Sequence, residues 1–397
     1  MDNAPQPFPS IRSLKLHGYR PFGEFLARFS ALEVIVGANS SGKSSLFEFL
    51  KFLRNAVEQD IPPEIVAGSI GQQIFHRPGP DRFAWSVEID LLRPGRLHYE
   101  GEVLGPIGQT RVSFERVHLS HAPGTHDDQT FIFMDVHGRK GYALEPAERS
   151  SPRQELDLRR PNQLALSVMT NPALATLYNL REFIAGWRFY SSFNIDNDKI
   201  RKSTPIEQQP VLHEDGANLS AVLFNLMSEH PLVFDELKYH LRAAVPGFRN
   251  LAVKARGGPG EVIAFWQEEG VDGELSLADL SDGALRFLAW ATLALAPAPP
   301  SLICIDEPDQ GVHPRTLPIL AGLFRKASQR TQLLLATHAS YFLTQFDLQH
   351  LAIMKKSGGE SQYLKPGDSA ALRANLADFG VDELEAMHRN DELEALT

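Results

Sequence analysis

The feature that most constrains this chain is the octet GANSSGKS at residues 37–44. It satisfies G-x-x-x-x-G-K-[ST]. In that spacing two glycines let the backbone wrap an anion without Cβ clashes, while amide hydrogens point inward at the start of a helix. The flanks agree with this reading. Leu32 to Val36 is a β-branched apolar run, and Leu46, Leu50, Leu53 and Val57 recur at helical spacing after the loop. Lys43 is expected to reach the β- and γ-phosphates of a nucleotide and Ser44 to offer its hydroxyl to Mg2+. Gly37, Ala38, Asn39, Ser40, Ser41, Gly42 and Ser45 complete the expected phosphate cradle.

Three later segments carry polar groups at the ends of apolar runs. In LICIDE (302–307) a buried strand ends in two carboxylates, at the sheet edge where ligands of α/β proteins bind. Asp306 is expected to hold Mg2+ through water and Glu307 to orient or deprotonate an attacking water. A buried acidic pair is costly without a cation, which itself argues for a metal nearby. His338 lies 32 residues beyond Asp306, at the end of the apolar run in QLLLATHAS (332–340), and is expected to reach the γ-phosphate or the attacking water. In LSDGALR (280–286) Ser281 suits the N-cap of a helix, and with Asp282 and Gly283 it forms a second candidate anion site.

The pattern along the chain is α/β. Helix 284–296, strand 301–306, helix 315–328 and strand 331–337 alternate as in parallel crossovers. Residues 80–145 look like short strands, 163–245 like helices, and 250–277 like strands again. The expected fold is α/β, with a mixed, mainly parallel core sheet, an antiparallel β subdomain and a helical insertion, an arrangement that together with these motifs resembles an ABC-type ATPase head. The expected division is a first lobe at 1–150, a helical insertion or arm at 151–250, a second lobe at 251–356 and a tail at 357–397. That tail carries nine acids against three Lys or Arg, within a formal net charge of −10, so no global basic footprint for nucleic acid exists. Arg242, Arg249, Lys254 and Arg256 form a local basic cluster. The single cysteine, Cys304, excludes an intrachain disulfide and reads as a core thiol. The longest apolar segment, Phe287 to Ala298, is too short for a bilayer, and the first residues lack a secretory pattern. A soluble cytoplasmic protein without membrane contact is the expectation.

Taken together, these motifs resemble RecF/SMC-like ABC-class AAA family ATPases of bacterial DNA repair and anti-phage defence. The resemblance extends to LKLHGYRPF (14–22), VLHEDGANLSAVLFNL (211–226), LSDGALRFL (280–288), DEPDQGVHP (306–314) and ATHASYFL (336–343). It implies ATP and Mg2+ as ligands, with Walker A at Gly37, Asn39, Gly42, Lys43 and Ser44. It implies Walker B at Asp306 and Glu307, a signature at Ser281, Asp282 and Gly283, and a switch histidine at His338. It also implies a D-loop from Asp309 to His313 and a Mg2+-sensing glutamine, for which Gln72 and Gln73 are candidates. Asp309, Val312 and Ala339 depart from the usual family residues.

By the same resemblance, the signature of one subunit faces the P-loop of the other. Two ATPs are then sandwiched in a head-to-tail homodimer whose closure switches a separate effector protein, with DNA as a further candidate ligand. A DNA-repair clamp without an effector is the alternative. A transporter subunit fits poorly, because about 240 residues separate Gly37 from Ser281. A nuclease with its own effector domain fits poorly because about 60 residues follow His338, and a non-hydrolysing scaffold because Glu307 is intact.

Overall fold

The computed structural model describes residues 8–62, 74–92, 95–105, 109–120, 130–146, 153–193, 199–256 and 258–366. At its centre is a six-stranded sheet of β3 (Leu32–Val36), β10 (Trp187–Ser191), β15 (Leu302–Asp306), β16 (Gln332–Ala336), β17 (Leu351–Ser357) and β18 (Glu360–Leu364). The order is β10-β15-β16-β3-β17-β18. Every neighbouring pair is parallel except β17 with β18. Strands buried on both faces read as unbroken apolar runs, and all five residues of β3 and of β16 are buried. Alternate residues of one strand feed different cores: Leu302 and Cys304 face one cluster, Ile303 and Ile305 the other.

The first core lies between this sheet and an eight-stranded antiparallel sheet of order β2-β1-β4-β5-β6-β7-β8-β9. Its strands are β1 (Ser10–Tyr19), β2 (Phe22–Arg28), β4 (Arg82–Asp90), β5 (Arg96–Leu104), β6 (Arg111–Ser120), β7 (Phe131–His137), β8 (Lys140–Leu144) and β9 (Arg153–Asp157). In β4 the period of two puts Phe83, Trp85, Val87 and Ile89 inside. They meet α1 (Lys43–Ala56), which buries Phe49 and Phe52 against Phe83 and Trp85 in edge-on and tilted ring contacts. The helix that opens at the P-loop is thereby clamped between two sheets. The second core covers the opposite face of the central sheet. It contains α3 (Leu219–Glu229), α4 (Pro231–Ala244), α5 (Asp282–Leu295), α6 (Leu317–Ala327) and the strands β11 (Thr204–Pro205), β12 (Phe248–Ala255), β13 (Glu261–Glu268) and β14 (Leu275–Ser276).

Three expectations need correction. Residues 187–191, expected within a helical stretch, form β10, the edge strand of the central sheet beside β15. Trp187 and Tyr190 are buried there, one in each core. The stretch expected as an arm also contributes β9, α2 (Ala175–Ala185), α3 and α4; α3 and α4 pack on α5 and β12 as part of the head. Charge composition placed the start of the tail at 357, but 360–364 form β18. Among the described residues no helix is long and apolar enough to cross a membrane.

Two buried carboxylates show how the cores tolerate charge. Glu33, on β3, is fully buried and accepts from Ser30 N (2.6 Å), Lys365 Nζ (2.5 Å) and the Tyr363 hydroxyl (2.9 Å). Glu115, on β6, accepts from the Tyr99 hydroxyl (2.9 Å), Leu166 N (3.0 Å) and Ala165 N. Burial outweighs these donors and pushes Glu115 up to about 7. Because this folded-state value is raised, its contribution to stability is fully present below the unfolded value near 4.5 and is lost as pH rises through about 7. Urea unfolding at pH 5 and pH 8 is therefore expected to show a loss on the order of 3 kcal/mol attributable to this group. Glu115→Gln should abolish that pH-dependent portion, whatever its effect on absolute stability; an unchanged slope would assign it elsewhere.

Candidate active site

In-register parallel pairing brings the candidate residues to one sheet edge. Asp306 pairs with Ala336, and Ala336 with Ile35. The three chains therefore leave the sheet side by side, into Glu307, into Thr337 and His338, and into the loop at Gly37. A cleft of about 320 Å³ at that edge is lined by Pro21, Asn39 to Ser45, Asp306, Glu307 and His338.

One wall is the glycine-rich loop. Gly37 has φ 152°, and a Cβ there would lie 2.0 Å from the Met354 carbonyl oxygen. Gly42, the N-cap of α1, has φ 107°, and its Cβ would approach Ser361 Oγ to 2.8 Å. The β17–β18 hairpin thus presses on the loop from behind, and both positions require glycine. Lys43 is 6% exposed, and its ammonium donates to the carbonyls of Gly37 (2.5 Å) and Ala38 (3.1 Å). It is already held over the loop, where phosphate oxygens would compete for the same donors. Lys43, Ser44 and Ser45, in the first turn of α1, line the same cleft, and first-turn amides have no acceptor within their own helix.

The opposite wall carries the carboxylates. Burial, and then the neighbouring Glu307 charge, push Asp306 above the ordinary carboxylate range, while Lys43 pulls it down. Glu307 stands at φ 52°, uncommon for a residue with a side chain. It is pinned there by donation from its own N–H to Ala336 O (2.8 Å) and by Gln310 N donating to its carbonyl (3.1 Å). His338 is exposed on the same edge. The Thr337 hydroxyl donates to Asp309 Oδ1 (2.6 Å) and accepts from Ala339 N (3.0 Å), which ties the histidine loop to the segment after Glu307. That link escaped the sequence reading, which placed Asp309 at the start of the D-loop and noted it as a departure from the family pattern.

The donor set fits a hard divalent cation. Ser44 offers a hydroxyl and Asp306 a carboxylate from facing walls. Among the described residues no group of three His, Cys, Asp or Glu side chains could hold a metal alone. Mg2+ here would rely on phosphate oxygens and water for its remaining ligands, as it commonly does.

Ser281, Asp282 and Gly283 are not in this cleft. Ser281 caps α5, its Oγ accepting from Ala284 N at 3.4 Å. Asp282 pairs with Arg201 at 2.6 Å, and Arg201 also donates to the carbonyls of Leu277, Ala278 and Leu280. Arg201 was missed because it lies far away in a stretch read as helical. Ser281 and Gly283 line a second cleft of about 480 Å³ with Phe287, Val312, His313 and Arg315, and it shares no residue with the first. Gln72 and Gln73 lie outside the described residues. In the basic cluster, Arg249 faces Glu269 at 3.8 Å and Lys254 Glu274 at 2.5 Å, so half of its charge is met by acids of the same lobe.

A glycine-rich loop opening a helix at the edge of a mainly parallel sheet, with strand-end carboxylates in the same cleft, is the arrangement of a P-loop nucleotide-binding domain of the AAA class. The family described as AAA domain, putative AbiEii toxin, Type IV TA system matches residues 33–344, and the chain belongs to that family. Among solved structures it is similar to an SMC head bound to the C-winged helix domain of ScpA, with 14% identity, TM-score 0.53, and coverage of 90% of this chain and 98% of that one. A second is an SMC head with an extended coiled coil, bound to the C-terminal domain of ScpA derived from Pyrococcus furiosus. It has 13% identity, TM-score 0.52 and coverage of 94% and 100%. At these identities the likeness is one of fold. No curated protein matches the chain.

Proposed function

We propose that the protein is a cytoplasmic ATPase head that closes as a homodimer around two ATPs and uses the cycle to switch a separate effector protein. The observation that carries this reading is the division of labour between the two clefts. Asn39 to Ser45, Asp306, Glu307 and His338 share one, while Ser281 and Gly283 open onto another. A second subunit turned head to tail completes both sites at once.

In each site the loop amides and Lys43 hold the β- and γ-phosphates; Ser44, and Asp306 through water, would hold Mg2+, which would supply charge neutralisation. Glu307 orients a water and takes its proton as the water oxygen bonds to the γ-phosphorus. The bond to the bridging oxygen breaks, leaving ADP and phosphate. His338 donates to the γ-phosphate or positions that water. The release of the γ-phosphate opens the pair, a two-state element on which an effector can depend. Solved SMC heads of the same fold are described in complex with domains of ScpA, which supports a protein partner for this head also.

Ser281→Arg tests the shared site. A bulky cation at the mouth of the second cleft should lower ATP turnover at least ~10²-fold by blocking closure. The ATP affinity of the monomer should stay within about twofold of wild type. Loss of the cap costs about 1 kcal/mol, so the variant should still fold. Light scattering with non-hydrolysable ATP should show wild-type dimers and variant monomers. Wild-type turnover by a monomeric variant would end the two-subunit reading.

A further inference from the structure

We infer that Arg315 is a catalytic residue acting in trans, its guanidinium reaching the γ-phosphate of the ATP held by the other subunit. The inference rests on the head-to-tail reading above and adds a specific group to it. The first observation is a shortage of positive charge. Among the described residues Lys43 is the only Lys or Arg lining the ATP cleft, which also holds Asp306 and Glu307. A nucleoside triphosphate adds roughly four negative charges, so even with a divalent cation the site falls short by about three. Charge that develops on a transferring phosphoryl group in a water-excluded site calls for further cationic donors.

The second observation is which arginine can supply one. Arg201, Arg286 and Arg315 lie about the signature segment. Arg201 is committed to Asp282 and three carbonyls. Arg286 donates to Gln310 O at 3.0 Å and packs over Gly311. Arg315 lines the second cleft with Ser281 and Gly283 and is exposed; among the described residues its guanidinium has no hydrogen-bond or ion-pair partner.

Its backbone, by contrast, is well held. Arg315 lies in a short 3-10 turn, Pro314–Thr316, at the head of α6. Its N–H donates to His313 Nδ1 (3.2 Å), and the Thr316 hydroxyl donates to His313 O (2.8 Å). A fixed backbone presenting an uncommitted planar cation beside a serine and a glycine suits a phosphate arriving from outside the subunit.

The test uses full-length protein. Arg315→Ala is expected to lower kcat by ~10²–10³-fold, with monomer ATP affinity by calorimetry within about twofold of wild type; Arg315→Lys should recover part of the loss. In a Glu307→Gln background, Arg315→Ala should also weaken ATP-dependent dimerisation about tenfold or more by light scattering. The decisive measurement mixes Arg315→Ala with Lys43→Ala subunits. A mixed dimer pairs the intact loop of the first with the intact Arg315 of the second, so activity should return. If Ser281→Arg with Lys43→Ala restores activity but Arg315→Ala with Lys43→Ala does not, Arg315 does not act in trans and the inference is overturned while the dimer stands. If neither pair restores activity and ATP leaves the mass monomeric, the head-to-tail reading fails, and the inference with it. Wild-type kcat for Arg315→Ala would also overturn it.

Discussion

Lys43→Ala is expected to weaken ATP binding by about 10²–10³-fold, enough to abolish turnover at ordinary ATP concentrations. Among the described residues Lys43 is the only Lys or Arg lining the loop cleft, and the residue is 6% exposed, so it acts where water screens it little. Each charge-assisted hydrogen bond to phosphate contributes about 1.5–3 kcal/mol. Two such bonds account for the predicted loss. The backbone of the loop should survive, because its shape is dictated by Gly37 and Gly42 against the β17–β18 hairpin. Calorimetry measures the effect directly, with circular dichroism confirming the fold. Binding within a few-fold of wild type would show that the octet is not the phosphate site.

Glu307→Gln should leave ATP binding intact and slow hydrolysis by ~10²–10⁴-fold. The substitution keeps shape and removes only the basic oxygen. The unusual φ of 52° is held by backbone hydrogen bonds to Ala336 and from Gln310, which glutamine preserves. Two outcomes should appear together: phosphate release nearly stops, and an ATP-bound dimer accumulates because its exit step is blocked. Single-turnover measurement separates this from slow product release. If the variant turns over at the wild-type rate, the proton acceptor lies elsewhere in the cleft, and His338 is the next group to replace.

The candidate site was largely legible because P-loop chemistry is local. An octet fixes glycine positions, a lysine and a hydroxyl within a few ångströms of one another whatever surrounds them. Apolar runs ending in Asp306 or His338 likewise announce buried strands with polar termini. The antiparallel strands around Phe83 to Ile89 were legible from their period of two. The element missed, β10, is a short strand between helices, and WRFYS carries no period long enough to separate it from a helix. The extent of β18 was hidden because the surrounding charge resembled a tail, while Ser361 and Tyr363 point inward.

By itself, the sequence determined which residues are candidates to bind phosphate and metal, since those properties belong to side-chain type and near-neighbour spacing. Only the tertiary structure decided which of them meet. Parallel register between β15, β16 and β3 sets Asp306, Ala336 and Ile35 abreast, and so gathers residues about 300 positions apart into one cleft. The same packing, with α5 and α6 side by side across the second core, turns Ser281 and Arg315 onto a different face. Proximity across such distances comes from burying both faces of one sheet, a property of the whole chain that no local motif encodes.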